Sequence, residues 1–328
     1  MMTNASGDRP RGSGTVVVVG EVLVELASSE PFSAGAQLRL GFSGDALNSA
    51  AAAAAAGAHA VLAARVPDDD LGDALVAHVS GLGIDTSGVR RTPGQHGAYL
   101  VCADPTGERE FVYLRRGSAG STLEPADLDD SLLPGALVLA SGIGCAISVS
   151  AAATIRHAAA RAGAFVYDPN FRPRLTTAAE AAQNLRDLAP RARLVTPSWP
   201  GEVRALLDLP ADAGKEAAAA AIERLGAAAV ALTCGPEGVL LREGELETVV
   251  ASPAAPRVVD QTGAGDAFVG TVAARLALGD DLADAVRLGV AAASLSVQGA
   301  GGTGFVPSLE QTRLHSERSG PPTPADTP

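Results

Sequence analysis

The chain has 328 residues, enough for one large α/β domain or two small ones. Hydrophobic residues make up 47% and aromatic residues only 3%, so a core must be built mainly from Ala, Val and Leu. The net charge of -12 disfavours nucleic acid and anionic membranes as partners, because an acidic surface repels phosphate groups.

Both ends of the chain have the composition of tails. Residues 1–14 lack the apolar centre of a signal peptide, and residues 316–328 are rich in Pro and Ser, so we predict that both segments are disordered. No apolar run is long enough to span a bilayer. Three widely spaced cysteines and scattered histidines predict no zinc site and a reducing compartment, so the expected location is the cytoplasm.

Short apolar runs alternate with Ala-rich stretches between residues 15 and 315, which we predict to form one domain. The runs that predict strands are TVVVVG, AVLAARV, ALVLASG, GAFVYD, ARLVT and AAVALTCG. Two of the stretches that predict helices between them are SAAATIRHAAARAG and KEAAAAAIERLG. This alternation predicts an α/β fold with a Rossmann-like, mostly parallel sheet that carries helices on both faces.

The alanine run from Ala50 to Ala56 predicts a further helix, because Ala is the best helix former. Asp45, Asn48 and Ser49 offer side chains that could cap its start. Gly57 is typical of the residue that ends a helix.

One segment departs from the alternation. Residues 97–115, GAYLVCADPTGEREFVYLR, are two extended runs around Asp104-Pro105-Thr106-Gly107, which predicts a β-hairpin. We expect it to join residues 25–42 in a small sheet beside the main domain. The lid strands therefore lie at about 24–43 and 96–116, and this second sheet could act as a lid.

Four predicted strands run into loops that combine turn residues with polar side chains. These loops begin at Asp168, Thr196, Gly235 and Asp260. In open parallel sheets, ligands bind beyond the carboxyl ends of the strands. Any one of these loops is typical of an ordinary turn, but four of them at one edge of the sheet predict a binding site.

The most informative stretch is VVDQTGAGDAF, residues 258–268. If a helix begins at Ala264, its first N–H groups are free and its dipole is positive there, while Gly263 and Gly265 keep side chains away. Such a helix start binds anions. Asp266 then lies beside the anion and could accept a proton from an attacking hydroxyl, a combination that phosphoryl transfer needs.

Two other nucleotide-binding signatures do not fit. The chain has no G-x-x-x-x-G-K-[ST] sequence of a P-loop. In GAGDAFVG the third glycine comes two residues too late for a dinucleotide-binding G-x-G-x-x-G, and the segment lies at the wrong end of the chain for it.

Residues 260–266 resemble the D-T-x-G-A-G-D signature of the PfkB, or ribokinase-like, family of carbohydrate kinases, with Gln261 in place of a usual Thr. The resemblance extends from about Val16 to Pro307 and includes GFSGDALNSAAAAAAAG. Within the family, GDALNSA, GEREFVYLRRGSAGS and DPNFRPRL are most similar to the 2-keto-3-deoxygluconate kinases. The resemblance implies a ribokinase-like fold with a β-sheet lid, ATP with Mg²⁺, and phosphorylation of a hydroxyl of a keto-deoxy sugar acid.

The resemblance also implies roles for individual residues. The catalytic group is Asp266 with Gly263, Ala264 and Gly265. The substrate-binding residues are Gly44, Asp45, Asn48, Tyr99, Tyr113, Arg115 and Arg172, together with Asp266. The ATP-binding residues are Asn170, Ser198, Thr233, Gly235, Gly238, Gly263 and Gly265. Glu202 corresponds to an acid that organises Mg²⁺ through water, although Trp199 stands where the family usually has Asn.

Residue chemistry supports the substrate assignment but leaves alternatives. Tyr113 and Arg115 are two residues apart on one predicted strand, so they face the same side, and an Arg pairs well with a carboxylate. Arg115 could instead be a solvated charge on an edge strand, Arg172 a surface salt-bridge partner, and Asn48 a helix cap. A kinase of a neutral sugar such as fructose and a non-catalytic sugar-binding relative remain as alternative functions. The family also implies a homodimer, or a higher homo-oligomer, formed through the lid.

Overall fold

A computed structural model gives the structure of residues 14–103, 109–319 and 323–324. The strands are β1 Thr15–Val19, β2 Leu23–Ser28, β3 Arg39–Ser43, β4 His59–Pro67, β5 Val89–Thr92, β6 Ala98–Ala103, β7 Arg109–Leu114, β8 Leu137–Ser141, β9 Ala164–Asp168, β10 Leu194–Val195, β11 Val230–Thr233, β12 Val239–Glu243, β13 Leu246–Val250 and β14 Thr323–Pro324. The helices are α1 Asp45–Ala55, α2 Asp70–Gly81, α3 Gly142–Ile147, α4 Val149–Arg161, α5 Ala178–Leu188, α6 Gly201–Leu206, α7 Lys215–Arg224, α8 Ala264–Ala277, α9 Leu282–Ser296 and α10 Leu309–Ser316.

The large sheet has the strand order β14-β13-β12-β11-β10-β9-β8-β1-β4-β5. Neighbours from β11 to β5 pair in parallel, whereas β12, β13 and β14 pair antiparallel at the other edge. The predicted α/β fold with a mostly parallel sheet is confirmed. Within the described residues, no helix combines the length and the apolar character needed to cross a membrane.

The two faces of the large sheet carry separate cores. On the central strand β1, Val16 and Val18 pack with the layer of α1, α2, α8 and α9, while Val17 and Val19 pack with the layer of α4, α5, α6 and α7. Alternate side chains of a strand point to opposite faces. A parallel strand covered on both faces is therefore continuously apolar, which explains the run TVVVV.

The second sheet has four strands in the order β3-β2-β6-β7. β6 and β7 pair antiparallel as the predicted hairpin, with Tyr99 opposite Tyr113, and β2 and β3 form the predicted neighbouring pair. The turn at Asp104 to Gly107 lies outside the described residues. This small sheet, which we call the lid, stands at the carboxyl ends of the large sheet's parallel strands and covers one side of a cleft.

The structure differs from the sequence-based expectation in two places, the start of helix α1 and the carboxyl-terminal segment of the chain. No side chain caps α1, whose N-cap is Gly44 with φ of 121°, because Asp45 and Asn48 bond to residues outside their own helix. Residues 323–324, within the segment expected to be disordered, add strand β14 to β13. The amino-terminal tail lies outside the described residues up to residue 13.

Close packing of α1 against α8 depends on Gly270. A Cβ at this position would lie 2.2 Å from the backbone oxygen of Ser49. We expect Gly270→Ala to lower the free energy of unfolding by about 1–3 kcal/mol through overpacking. In the matched control Gly81→Ala, at the end of α2, no atom lies within 4 Å of the added methyl group. Urea denaturation should show a near-neutral effect there, and equal losses in the two variants would contradict this account of the α1–α8 contact.

Candidate active site

A cleft of about 540 Å³ lies between the lid and the ends of the parallel strands. It collects most of the residues predicted from the sequence. Those that line it are Gly44, Asp45, Asn48, Tyr99, Tyr113, Arg115, Asn170, Arg172, Ser198, Glu202, Thr233, Gly263, Gly265 and Asp266. Gly235, Gly238 and Ala264 do not line it.

The start of α8 opens into this cleft as the sequence predicted. The helix begins at Ala264 after Gly263, and no side chain caps it. In the described part of the chain, the amide groups of Gly265 and Asp266 have no hydrogen-bond acceptor, whereas Ala264 N–H donates to Gln261 O at 3.3 Å. These unpaired donors and the helix dipole create a binding site for an anion.

Glycine occupies positions 263 and 265 at this helix start for two different physical reasons. Gly263 has φ of 80°, and a Cβ there would lie 2.8 Å from the backbone oxygen of Gly302. A residue with a side chain at position 263 would therefore strain the loop that leads into α8. Gly265 has ordinary helical geometry, and no atom lies within 4 Å of an added Cβ. The backbone conformation and packing do not require glycine at position 265, but the missing side chain leaves more space in the cleft.

Asp266 lies in the first turn of α8 and accepts a hydrogen bond from Asn48 Nδ2 at 2.8 Å. Burial raises the pKa of Asp266 to about 7, and the neighbouring carboxylate of Asp45 adds to this rise. The Asn48 hydrogen bond and the Arg172 charge act in the opposite direction. A carboxylate with this pKa can accept a proton near neutral pH.

Asp45 and Asn48 thus face the cleft from α1, but they do not cap that helix. Ser141 Oγ donates a hydrogen bond to Asp45 Oδ2, and Ser43 Oγ donates to Asn48 Oδ1 at 3.3 Å. Asn48 therefore links the lid strand β3 to Asp266. Sequence reasoning placed both residues at the site and missed these partners, because the partners lie far away along the chain.

Two further acids line the cleft, Asp168 at the end of β9 and Glu202 in the first turn of α6. Asp168 is buried, and burial together with the Glu202 carboxylate raises its pKa well above the ordinary value. Glu202 Oε1 accepts the N–H of Phe171 at 2.5 Å, and its Oε2 accepts the N–H of Ser198 at 2.7 Å. The altered segment at Trp199 therefore still places Glu202 in the cleft wall, where it joins two loops.

Arg172 is exposed at the cleft and has no carboxylate ion-pair partner in the part of the chain that the structure describes. Its Nη1 donates to Phe171 O at 3.3 Å. Its charge lowers the pKa values of Asp168, Glu202 and Asp266 at longer range without overcoming their burial. Arg172 is therefore available to an anionic ligand and is not the surface salt-bridge partner considered as an alternative.

Arg115 differs from both sequence-based interpretations. It is neither a solvated edge-strand charge nor a free cation, since it is only 8% exposed and its Nη2 lies 2.5 Å from Glu21 Oε2. It lines the cleft beside Tyr113, with its guanidinium carbon 5.9 Å from the centre of that ring. Its positive charge is already met by a buried carboxylate that no motif indicated.

The lid supplies an aromatic wall. Phe111 stacks on Tyr113 at 6.2 Å between ring centres and contacts Tyr99 at 5.8 Å. The Tyr99 hydroxyl donates to Glu25 Oε2, so the ring rather than the hydroxyl of Tyr99 is offered to the cleft. Phe111 was not predicted, although the alternation that pairs Tyr113 with Arg115 also places Phe111 on their side of the strand.

The residues predicted to bind ATP lie only partly within the cleft. Asn170, Ser198 and Thr233 line it, and the buried hydroxyl of Thr196 lies there with no hydrogen-bond partner among the described residues. Sequence reasoning had not selected the Thr196 side chain. Position 238 requires glycine for structural reasons, because its φ is 101° and a Cβ would lie 2.0 Å from Val250 O. Gly235 is exposed beyond the cleft.

Comparison with known proteins agrees with this geometry. The family profile described as pfkB family carbohydrate kinase matches residues 13–309. A 2-dehydro-3-deoxygluconokinase from Thermoproteus tenax is 33% identical over 303 residues, which cover 90% of this chain and 91% of that protein. This chain belongs to the pfkB family of carbohydrate kinases. The predicted sugar kinase activity, which transfers a phosphoryl group, is thereby confirmed.

Two further comparisons show the breadth of this kinase family. Fructokinase-2 from Solanum habrochaites is 28% identical over 84% of this chain and 86% of its own length. A ribokinase-II-type protein from E. coli, solved in complex with ATP and Mg²⁺, superposes with a TM-score of 0.82 at 23% identity. That superposition covers 93% of this chain and 99% of the other, and it confirms the ribokinase-like fold.

The two glycines before Asp266 give a direct test of the helix start in this pfkB-family kinase. We expect Gly265→Ala to keep the wild-type melting temperature but to lower kcat/KM at least about tenfold, because the methyl group enters the space for the anion. Gly263→Ala should lose stability as well, since its backbone conformation is left-handed and a methyl group meets Gly302. Thermal unfolding gives the melting temperatures of both variants, and steady-state kinetics gives their kcat/KM values. Full activity in Gly265→Ala would contradict the anion site.

Proposed function

We propose that this protein is an ATP-dependent kinase of a keto-deoxy sugar acid, with 2-keto-3-deoxygluconate as the favoured substrate. The single observation that carries phosphoryl transfer is the open start of α8, where two unpaired amide groups lie beside Asp266. The acid substrate is supported by the unpaired cation Arg172 in the same cleft and by the relative from Thermoproteus tenax.

The chemistry follows from the positions of these groups. A sugar hydroxyl next to Asp266 attacks the γ-phosphorus of ATP, the bond from that phosphorus to the β-phosphate oxygen breaks, and ADP leaves. Asp266 accepts the hydroxyl proton as the new P–O bond forms. The amide groups of Gly265 and Asp266 donate hydrogen bonds to the phosphoryl oxygens, on which negative charge is concentrated in the transition state.

The proposed ATP site uses Asn170, Ser198 and Thr233 in the cleft, together with Gly235 and Gly238 beyond it. The carboxylates of Asp168 and Glu202 fit a Mg²⁺ ion, because burial and, for Asp168, mutual repulsion raise their pKa values and a nearby cation relieves both effects. No group of three or more metal ligands occurs in the described ranges. This suits Mg²⁺ that arrives on ATP and keeps water and phosphate ligands, neutralising phosphate charge. The E. coli protein solved with ATP and Mg²⁺ supports the same pair.

The proposed sugar site lies between the aromatic wall of the lid and the start of α1. Gly44, Asp45 and Asn48 lie where they can bind hydroxyl groups, and the rings of Tyr99 and Tyr113 can cover the carbon chain. Arg172 pairs with the substrate carboxylate. A neutral sugar leaves this cation without a partner, although the fructokinase relative keeps fructose as the second candidate.

Self-association through the lid stays a prediction. The lid exposes Leu40, Val112 and Leu114, whose exposed fractions are 53%, 38% and 56%. Large apolar side chains on a sheet are usually covered. A second copy of the chain is the partner that we propose for this surface, by analogy with the resemblance noted above.

The role of Asp266 as base predicts a paired change in activity and stability. Asp266→Asn should lower kcat by about 10²–10⁴-fold. The folded-state pKa of Asp266, about 7, exceeds its ordinary value of 3.8, so ionisation costs the wild type stability as pH rises through this window. The variant should therefore melt at a higher temperature than the wild type at pH 8, and the difference should disappear as pH falls towards 4.

Melting curves at pH 4.5 and pH 8, with kcat at pH 8, measure both parts of this prediction. Asp284→Asn, at an exposed position of α9, is the matched control and should change neither. Wild-type turnover in Asp266→Asn would remove the proposed base. A stability gain equal at both pH values would mean that its cause is not the ionised carboxylate.

The substrate class is tested by an ATP-dependent phosphorylation screen over 2-keto-3-deoxygluconate, related keto-deoxy sugar acids and fructose. We expect the wild type to prefer the sugar acids, and Arg172→Gln to lower kcat/KM for them at least about tenfold more than for fructose. Arg186→Gln, on the exposed face of α5, serves as the control and should leave both unchanged. Equal losses for acid and neutral sugars in Arg172→Gln would contradict pairing with a carboxylate.

A further inference from the structure

The residue Glu21 lies at the junction of the main domain and the lid. It belongs to the short link between β1 and β2, and it is only 1% exposed. The chain passes between the two sheets four times, before β2, after β3, before β6 and after β7. Glu21 lies in the first of these passages and the other three approach it closely, so this residue is placed to fix the lid against the main domain.

Three glycines leave space for Glu21 at these passages. A Cβ at Gly97, just before β6, would lie 2.5 Å from Glu21 Oε1. A Cβ at Gly120, after β7, would lie 2.4 Å from Glu21 Cγ, and one at Gly44, after β3, would lie 2.8 Å from the backbone oxygen of Glu21. The side chain is thus enclosed by the passages at Gly97 and Gly120, while the passage at Gly44 packs against the backbone of Glu21, so the residue has little room to move.

The carboxylate enclosed in this way pairs with Arg115. Arg115 Nη2 lies 2.5 Å from Glu21 Oε2, and Ser118 Oγ donates to Glu21 Oε1. Both charged side chains are more than nine-tenths buried. Removing one partner of such a pair leaves an isolated buried charge, which is strongly unfavourable, whereas removing both charges is often tolerated.

Burial raises the pKa of Glu21, while the Arg115 charge and the Ser118 hydrogen bond lower it. With Glu21 ionised, Arg115 presents little net positive charge to the cleft that it lines. Its Nη2 lies at ion-pair distance from Glu21 Oε2, but neither this nitrogen nor the buried Nε makes a hydrogen bond of good geometry to a described residue, so Arg115 still offers a donor. An uncharged oxygen of a sugar can accept such a bond without competing against Glu21. Arg172 differs because no carboxylate compensates it at ion-pair distance in the described ranges.

We propose that Glu21 is a positioning and specificity-determining residue, which holds Arg115 as a charge-compensated hydrogen-bond donor and leaves selection of the substrate carboxylate to Arg172. This inference rests on the proposed function, since it concerns the choice between acid and neutral sugars. It assigns to Glu21 two effects, a fixed lid position and the cancellation of a charge in the cleft wall.

The experiment compares selectivity, defined as kcat/KM for 2-keto-3-deoxygluconate divided by kcat/KM for fructose. The deciding protein is the double variant Glu21→Gln/Arg115→Met, which removes both charges. We expect its selectivity to stay within about threefold of the wild type, because the pair contributes no net charge. If Arg115 itself binds the carboxylate, the double variant loses selectivity as fully as Arg172→Gln does, and the inference is overturned.

The single variants supply an independent readout. Glu21→Gln keeps the shape and leaves Arg115 uncompensated, so selectivity for the acid should rise about tenfold or more. Arg115→Met removes the cation that lowers the pKa of the buried Glu21 carboxyl, which should then take up a proton and change selectivity much less than Glu21→Gln does. An unchanged or reduced selectivity in Glu21→Gln would overturn the inference even if the double variant failed to fold.

Selectivity separates these effects from a general loss of structure, because damage to the fold lowers both kcat/KM values together. A wild-type enzyme without preference for the sugar acid would contradict the proposed function and the role of Arg172 with it. A wild-type preference that disappears in the double variant would overturn only the assignment of Glu21 and leave the proposed function standing.

Discussion

The hydrogen bond between Asn48 and Asp266 joins the first turns of α1 and α8, and the rest of the site is arranged around it. The two helices approach closely because alanines and Gly270 line their contact. Their first turns therefore open into the same cleft. The amide groups of α8 and the carboxylate next to them suit the proposed phosphoryl transfer together, since the hydroxyl that loses its proton to the carboxylate must attack the phosphorus held at the helix start.

The cleft places several carboxylates where burial opposes their ionisation. Asp168, Glu202 and Asp266 all have raised pKa values, and Arg172 only partly compensates them. Such an arrangement costs stability, as functional sites often do. It is relieved when cations and hydrogen-bond donors of the substrates enter. Burial raises the pKa of Glu21 too, but this acid differs from the other three because Arg115 lies at ion-pair distance from it within the protein.

Local sequence patterns predicted much of the fold and part of the site. Apolar runs located the central strands, because a strand buried on both faces must be continuously apolar. The glycines at 263 and 265 located the start of α8, since backbone geometry and missing side chains act within a few residues. The same patterns placed Asp45, Asn48 and Arg115 at the site but missed their partners Ser141, Asp266 and Glu21, because these partners are distant along the chain.

The sequence by itself determined the alternation of strands and helices, the hairpin strands of the lid and an anion-binding helix start next to an acid. These features depend on the period of apolar residues and on the conformations that glycine permits. Only the tertiary structure decided which charges are compensated and which remain available. Among the described residues Arg115 has a carboxylate at ion-pair distance and Arg172 has none, because ion pairing depends on distances that chain folding alone creates.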